Sequence, residues 1–130
     1  MESLVSDYIK RVDKVWGREC WITNTELYCA KILYINCKGC SSLHYHKIKD
    51  ETFHILEGCC YLETFEQKTV ALGIRMLRIL HKGETIRIKP ETPHRFFCSS
   101  GMELGCKVLE VSTAHSDEGV VRLEESKCLA

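Results

Sequence analysis

From Glu19 onward the chain is a succession of short runs rich in Ile, Val, Tyr, Phe and Thr, each broken within a few residues by Gly, Asp, Asn or Pro. That rhythm has no helical period and predicts strands near 19–24, 27–36, 42–48, 52–57, 59–65, 74–81, 84–89, 94–98, 103–113 and 119–123. So many short strands must hide their edges, and closure into an all-β sandwich or barrel does this. Asn24-Thr25-Glu26, Lys38-Gly39-Cys40, Lys49-Asp50-Glu51 and His81-Lys82-Gly83 are polar turns of hairpin length, which predicts antiparallel pairing. The stretch from Glu66 to Gly73 reads as the least regular loop.

Ahead of the strands, Val5, Tyr8, Ile9 and Val12 recur at helical spacing and predict a short amphipathic helix or turn, an extension over 1–15. One barrel is expected over 16–123 and a polar, fraying tail over 124–130. With 45% hydrophobic residues, 28% charged residues and only 2 prolines, the chain is neither disordered nor of low complexity. Its 18 Lys and Arg balance 18 Asp and Glu, so no net field exists to hold a polyanion. Nucleic acid and acidic membranes are therefore not expected as partners, and a small neutral or singly charged ligand suits the chain better. The early acids at Glu2 and Asp7, and the lack of a long apolar run, predict a cytoplasmic protein. Nine cysteines, an odd number, are expected as free thiols in that compartment. Cys37 and Cys40 have chelating spacing but no second such pair follows, and both they and Cys59-Cys60 read as incidental thiols.

Ser42-Leu43-His44-Tyr45-His46 carries the most chemistry, because a strand sends alternate side chains to one face and aims His44 and His46 together. Glu51 follows after a turn, and His94 comes much later, behind Pro90 and Pro93. Three neutral imidazoles and a carboxylate suit a divalent first-row ion and leave positions for water or substrate. The plainer reading of a His-x-His pair is two hydrogen-bonding strand residues. His54 could line the same pocket or merely touch a neighbour, while His81 at a turn and His115 in a polar loop read as surface residues.

Two charges sit where apolar residues are expected. Lys31 is central to the run 27–35, and Glu110 lies amid apolar residues with Val108 and Ser112 on its own face. Each could face solvent. If instead they face a cavity, each needs a counter-charge, and each is the other's candidate partner.

Gly39-x4-His44-x-His46-x4-Glu51-x6-Gly58 resembles the first cupin motif, and Gly83-x6-Pro90-x2-Pro93-His94 resembles the second. The resemblance spans about Trp16 to Arg122. It implies a double-stranded β-helix, a jelly-roll barrel, with a divalent ion (Mn, Zn or Fe) held in its mouth by His44, His46, Glu51 and His94. More narrowly, the order Lys31, His44-x-His46-x4-Glu51, His94, Glu110-Val111-Ser112-Thr113 and Arg122 resembles the cupin-type D-lyxose isomerases and related sugar isomerases. That resemblance implies a catalytic set of Glu110, Lys31 and Arg122 around a small carbohydrate. Trp16-Gly17 is similar to a motif of cupin-type phosphomannose isomerases and of small cupins associated with surface-polysaccharide synthesis. A tryptophan there either stacks on a sugar or plugs the barrel end. The expected function is aldose–ketose isomerisation through a metal-stabilised enediolate. An iron-dependent dioxygenase and a non-catalytic sugar- or metal-binding helper are the alternatives. Cupins commonly pair, and a homodimer is expected.

Overall fold

A computed structural model describes residues 5–98 and 105–129. Among them are thirteen strands and one 3₁₀ turn, Val70–Leu72, all strand pairs being antiparallel. The first sheet has six strands in the order β1 (Lys10–Lys14), β2 (Gly17–Asn24), β3 (Cys29–Ile35), β11 (Cys106–Ser112), β6 (Glu51–Glu57) and β9 (Thr85–Ile88). In the second sheet β10 (His94–Phe97) is central. One side of it carries β4 (Gly39–Cys40) and β5 (Leu43–His46), flanked by β13 (Lys127–Cys128) and β12 (Val120–Glu124). The other side carries β7 (Cys59–Phe65) and then β8 (Arg75–His81).

Alternation builds the interior. Along β3 the inward positions are Cys29, Lys31, Leu33 and Ile35, along β6 Glu51, Phe53 and Ile55, and along β11 Cys106, Val108, Glu110 and Ser112. Each row is apolar at one end and polar at the other. Register sets Val108 beside both Leu33 and Ile55, and Glu110 beside both Lys31 and Phe53, so the change comes one inward position later on β6, at Glu51. In the facing sheet β10 repeats the pattern, with His94 followed by Phe96 and Cys98. The apolar halves, with Trp16 and Leu62, form one core, and the polar halves form the wall of a cavity above it. Trp16 therefore belongs to the barrel's packing as well as to the cavity floor. The glycine after it is required because β2 passes close to β3: a Cβ on Gly17 would stand 1.8 Å from the Tyr34 carbonyl oxygen.

The terminal segments differ from expectation. Residues 10–14 form a strand where a helix was expected, because β2 offers an open row of backbone partners to them; Ile9 N–H donates to the Trp21 carbonyl at 2.8 Å. The apolar residues that suggested a helical face, Val5, Tyr8 and Ile9, lie exposed, so a helix there would gain little from burial. Residues 1–4 of the expected extension, 103 and 104 of the run expected at 103–113, and 130 of the expected tail lie outside the described residues. The tail expected to fray includes β13, which pairs with β4, and Leu129 N–H donates to the Lys38 carbonyl at 2.7 Å. No helix among the described residues is long and apolar enough to cross a membrane.

Ile55 is fully buried at the centre of the core. Truncation to alanine removes its contacts and leaves a cavity, so Ile55→Ala is expected to lower the unfolding free energy by about 2–5 kcal/mol in urea titrations. A loss below about 1 kcal/mol would contradict a tightly packed barrel end.

Candidate functional site

Three histidines meet because register brings distant segments together. His44 and His46 alternate on β5, and His94 is the direct cross-strand partner of His44. The ring centroids of His44 lie 5.0 Å from those of His46 and 4.7 Å from those of His94. One ring nitrogen from each falls within 4.8 Å of the other two. Glu51, at the start of β6, faces them from the opposite sheet, with its oxygens 3.4 Å from His46 Nε2 and 3.2 Å from His94 Nε2.

The backbone sets two of the tautomers. A carbonyl oxygen can only accept, so Nδ1–H of His94 donates to the Thr92 carbonyl at 2.8 Å, and Nδ1–H of His44 donates to that of Ser42 at 2.9 Å. In the neutral rings the Nε2 lone pairs then point inward. Burial, followed by the neighbouring rings of His94 and His46, drives His44 down to about 3, so it stays neutral at ordinary pH. Glu51 Oε2 is buried with no hydrogen-bond partner. Burial alone would raise the pKa of Glu51, but hydrogen bonds from His46 and His94 when these carry a proton on Nε2, together with the Lys49 ammonium, hold it well below the usual carboxylate range. Inward lone pairs around an orphaned carboxylate oxygen repel one another unless a cation lies among them. The donor set, imidazole nitrogen with carboxylate oxygen, fits a first-row divalent ion.

Beside this cluster lies a second set of polar groups. Glu110 Oε2 accepts from Lys49 Nζ at 2.9 Å, and the same ammonium lies 3.3 Å from Glu51 Oε1. The counter-charge of Glu110 is thus Lys49, not Lys31, the partner expected for it as the other charge in an apolar strand. Lys31 instead lies 3.6 Å from Glu19 Oε1 and 4.1 Å above the Trp21 ring. Both ammonium groups stand 3.1 Å from Nδ1 of His115, which therefore accepts, while its Nε2–H donates to Asp117 at 3.2 Å. His115 was expected at the surface. It is drawn in because its own N–H donates to the Asn24 side chain and its ring packs edge-on against Trp21. Neither Lys49 nor His115 carries a sequence signal, since both sit in connecting segments placed only by the closed barrel.

Arg122 lies opposite His44 on β12 and lines the same cavity of about 240 Å³, together with Lys31, Lys49, Glu110 and the histidines. His54 bonds Thr85 at 2.7 Å and His81 pairs with Glu84 at 2.9 Å, neither of them lining this cavity. Of the cysteines, Cys98 and Cys106 place their sulfurs 3.4 Å apart at the apolar end, where the contact with Cys106 and burial hold the Cys98 thiol, and the contact with Cys60 and burial the Cys106 thiol, far above the ordinary value. Such thiols are inert as nucleophiles.

No family model matches this sequence, and no curated protein matches it. Among solved structures it is similar to KdgF from a Halomonas species, at 16% identity and a TM-score of 0.68, over 88% of this chain and 95% of that one. CapF, solved with the inhibitor 3-isopropenyl-tropolone, is 14% identical with a TM-score of 0.74, and oxalate decarboxylase from Bacillus subtilis is 18% identical with a TM-score of 0.72. These cover 88% and 94% of this chain, which spans only 34% and 33% of those longer chains. The fold is the cupin double-stranded β-helix, and its barrel mouth holds a histidine triad suited to a metal.

His44 and His115 also tie stability to pH. Each is depressed from 6.5 in the folded chain, to about 3 and about 4, by burial first and then by its neighbours, the His94 and His46 rings for His44 and the Lys31 and Lys49 ammonium groups for His115. The unfolded chain therefore takes up protons first as pH falls, and stability present above about 6.5 is lost progressively toward pH 4 and below. In denaturant titrations of metal-free protein, His115→Gln should make the midpoint fall less between pH 6.5 and 4 than in the wild type. An unchanged slope would show that His115 titrates normally in the folded chain.

Proposed function

We propose that His44, His46, His94 and Glu51 hold one divalent ion, Mn, Zn or Fe, and that the protein is a metal-dependent isomerase or epimerase of a sugar or sugar phosphate. The supporting observation is the inward-facing imidazole set around the unpartnered Glu51 oxygen, with Glu110 and its ammonium partner directly beside it. When bound, such an ion supplies Lewis acidity, polarising a substrate carbonyl and acidifying the adjacent C–H bond.

In this reading the chain's own groups move the proton. Glu110 takes it from one carbon as the C–H electron pair forms the carbon–carbon double bond and the carbonyl pair moves onto oxygen. It then returns the proton to the neighbouring carbon while the hydroxyl proton passes from the second oxygen to the former carbonyl oxygen, which completes the isomerisation. Lys49 orients the Glu110 carboxylate through its 2.9 Å bond. Lys31 faces the negative charge that grows on substrate oxygen, and Arg122 at the rim orients a hydroxyl or phosphate. The apolar floor of Leu33, Phe53 and Phe96 limits water around the exchanging carbon. The same proposal includes a homodimer: among the described residues β8 pairs on one side only, with β7, and it exposes Met76, Leu77 and Ile79.

Metal-loaded protein incubated in deuterated water with aldoses and their phosphates should yield ketose or epimer labelled at the exchanged carbon. Glu110→Gln should lower kcat by about 10²–10⁴ with little change in KM. Absence of conversion with manganese, zinc, iron and cobalt, or iron-dependent oxygen uptake in its place, would contradict isomerisation.

A further inference from the structure

Charge counted around the cavity narrows the ligand that the site can hold. Five cationic side chains line the cavity against four carboxylates. Lys49 is engaged by Glu110 and Glu51. Lys31 is 3% exposed and has Glu19 at 3.6 Å, a carboxylate whose same oxygen already accepts from Trp21 Nε1 at 3.0 Å. At the rim, Lys10, Lys14 and Arg122 have no ion pair among the described residues, while Asp117 bonds His115. Adding a divalent ion leaves a surplus of three positive charges around a space of about 240 Å³, room for one monosaccharide-sized molecule.

Lys10, Lys14 and Arg122 are exposed at the rim, where water screens them, but the enclosed groups, Lys31 and Lys49 against Glu19, Glu51 and Glu110 with the ion added, still carry one positive charge in excess. That excess is costly in a partly dry cavity unless a ligand or its counter-ions offset it. A neutral polyol gives up its water and leaves the surplus standing, whereas an anionic ligand cancels part of it. Lys31 is also poorly used by the protein itself. Its ion pair is longer than a charge-assisted hydrogen bond, and its other neighbours are an imidazole nitrogen and an indole face. A buried ammonium held this loosely has bonding capacity left for a guest. Arg122, on the strand beside His44, offers a planar fork suited to two oxygens of one anionic group.

We propose that the ligand of this cavity is an anionic monosaccharide, a sugar acid or a sugar phosphate, whose charged oxygens are recognised by Lys31 within and Arg122 at the rim. This deepens the functional reading above and rests on it, because the surplus depends on the ion.

Calorimetric titration of protein loaded with manganese or zinc, its metal content measured first, tests this with three matched probes: a hexuronate, the corresponding neutral hexose and the hexose 6-phosphate. At least one anionic probe should bind about tenfold or more tightly than the neutral hexose, with a preference that weakens as salt rises. Preference for the uronate assigns a carboxylate, and preference for the phosphate assigns a phosphate. Lys31→Met, close in volume and uncharged, should cut the preference to about threefold or less while the metal content stays at the wild-type level. Arg122→Ala, at an exposed rim position where folding is not at stake, should weaken the anionic probe by a larger factor than it weakens the neutral hexose. Equal binding of all three probes to metal-loaded protein, no binding by any of them, or a full preference retained by both variants would overturn the assignment while leaving the metal reading intact. A chain that takes up no metal would overturn both.

Discussion

The interior of this barrel depends on one constraint: inward-facing residues of several strands change from apolar to polar toward the same end of the barrel, on β6 one inward position later than on β3 and β11. Leu33 gives way to Lys31, Phe53 to Glu51, Val108 to Glu110 and Phe96 to His94. Because side chains alternate with a period of two, a slip of one residue in any strand would turn its charged group outward and an outward residue into the core. The register that seals the hydrophobic end therefore also assembles the polar end. The buried apolar residues, each contributing about 1.5–3 kcal/mol, stabilise the barrel enough to hold charged groups that would not bury themselves.

Lys49 ties the two halves of the polar chamber. Its ammonium lies between Glu51, which faces the histidines, and Glu110, which faces the second cluster. Its pKa is raised because the two carboxylates and their hydrogen bonds outweigh the burial that opposes its charge. The ammonium consequently remains charged, and it fixes both carboxylates without occupying the Glu51 oxygen that points among the imidazoles. Positioning of this sort limits the reorganisation needed when charge develops on a substrate.

How much of this was legible in the sequence follows from how local each signal was. The strand pattern, His44-x-His46 and the following Glu51 depend on alternation and a short turn, and the structure places all three close to where that reasoning put them. His94 was recognisable through its Pro-rich approach and its resemblance to a known motif, and its cross-strand pairing with His44 explains why it belongs there. Lys31 and Glu110 stood out as charges in apolar strands, yet their partners, Glu19 and Lys49, come from elements whose approach no local pattern encodes. His115 was missed for the same reason. The N-terminal strand was mistaken for a helix because its apolar spacing suits either state, and only the open edge of β2 decides between them.

Metal analysis by mass spectrometry of the purified chain, alongside His94→Ala and Glu51→Gln, bears most directly on the chamber's purpose. One divalent ion per wild-type chain, lost in His94→Ala and weakened in Glu51→Gln while both variants keep the wild-type β-sheet circular dichroism, is the expected result. A wild-type chain that binds no divalent ion, or a His94→Ala chain that binds it equally well, would show that the converging imidazoles serve some other end.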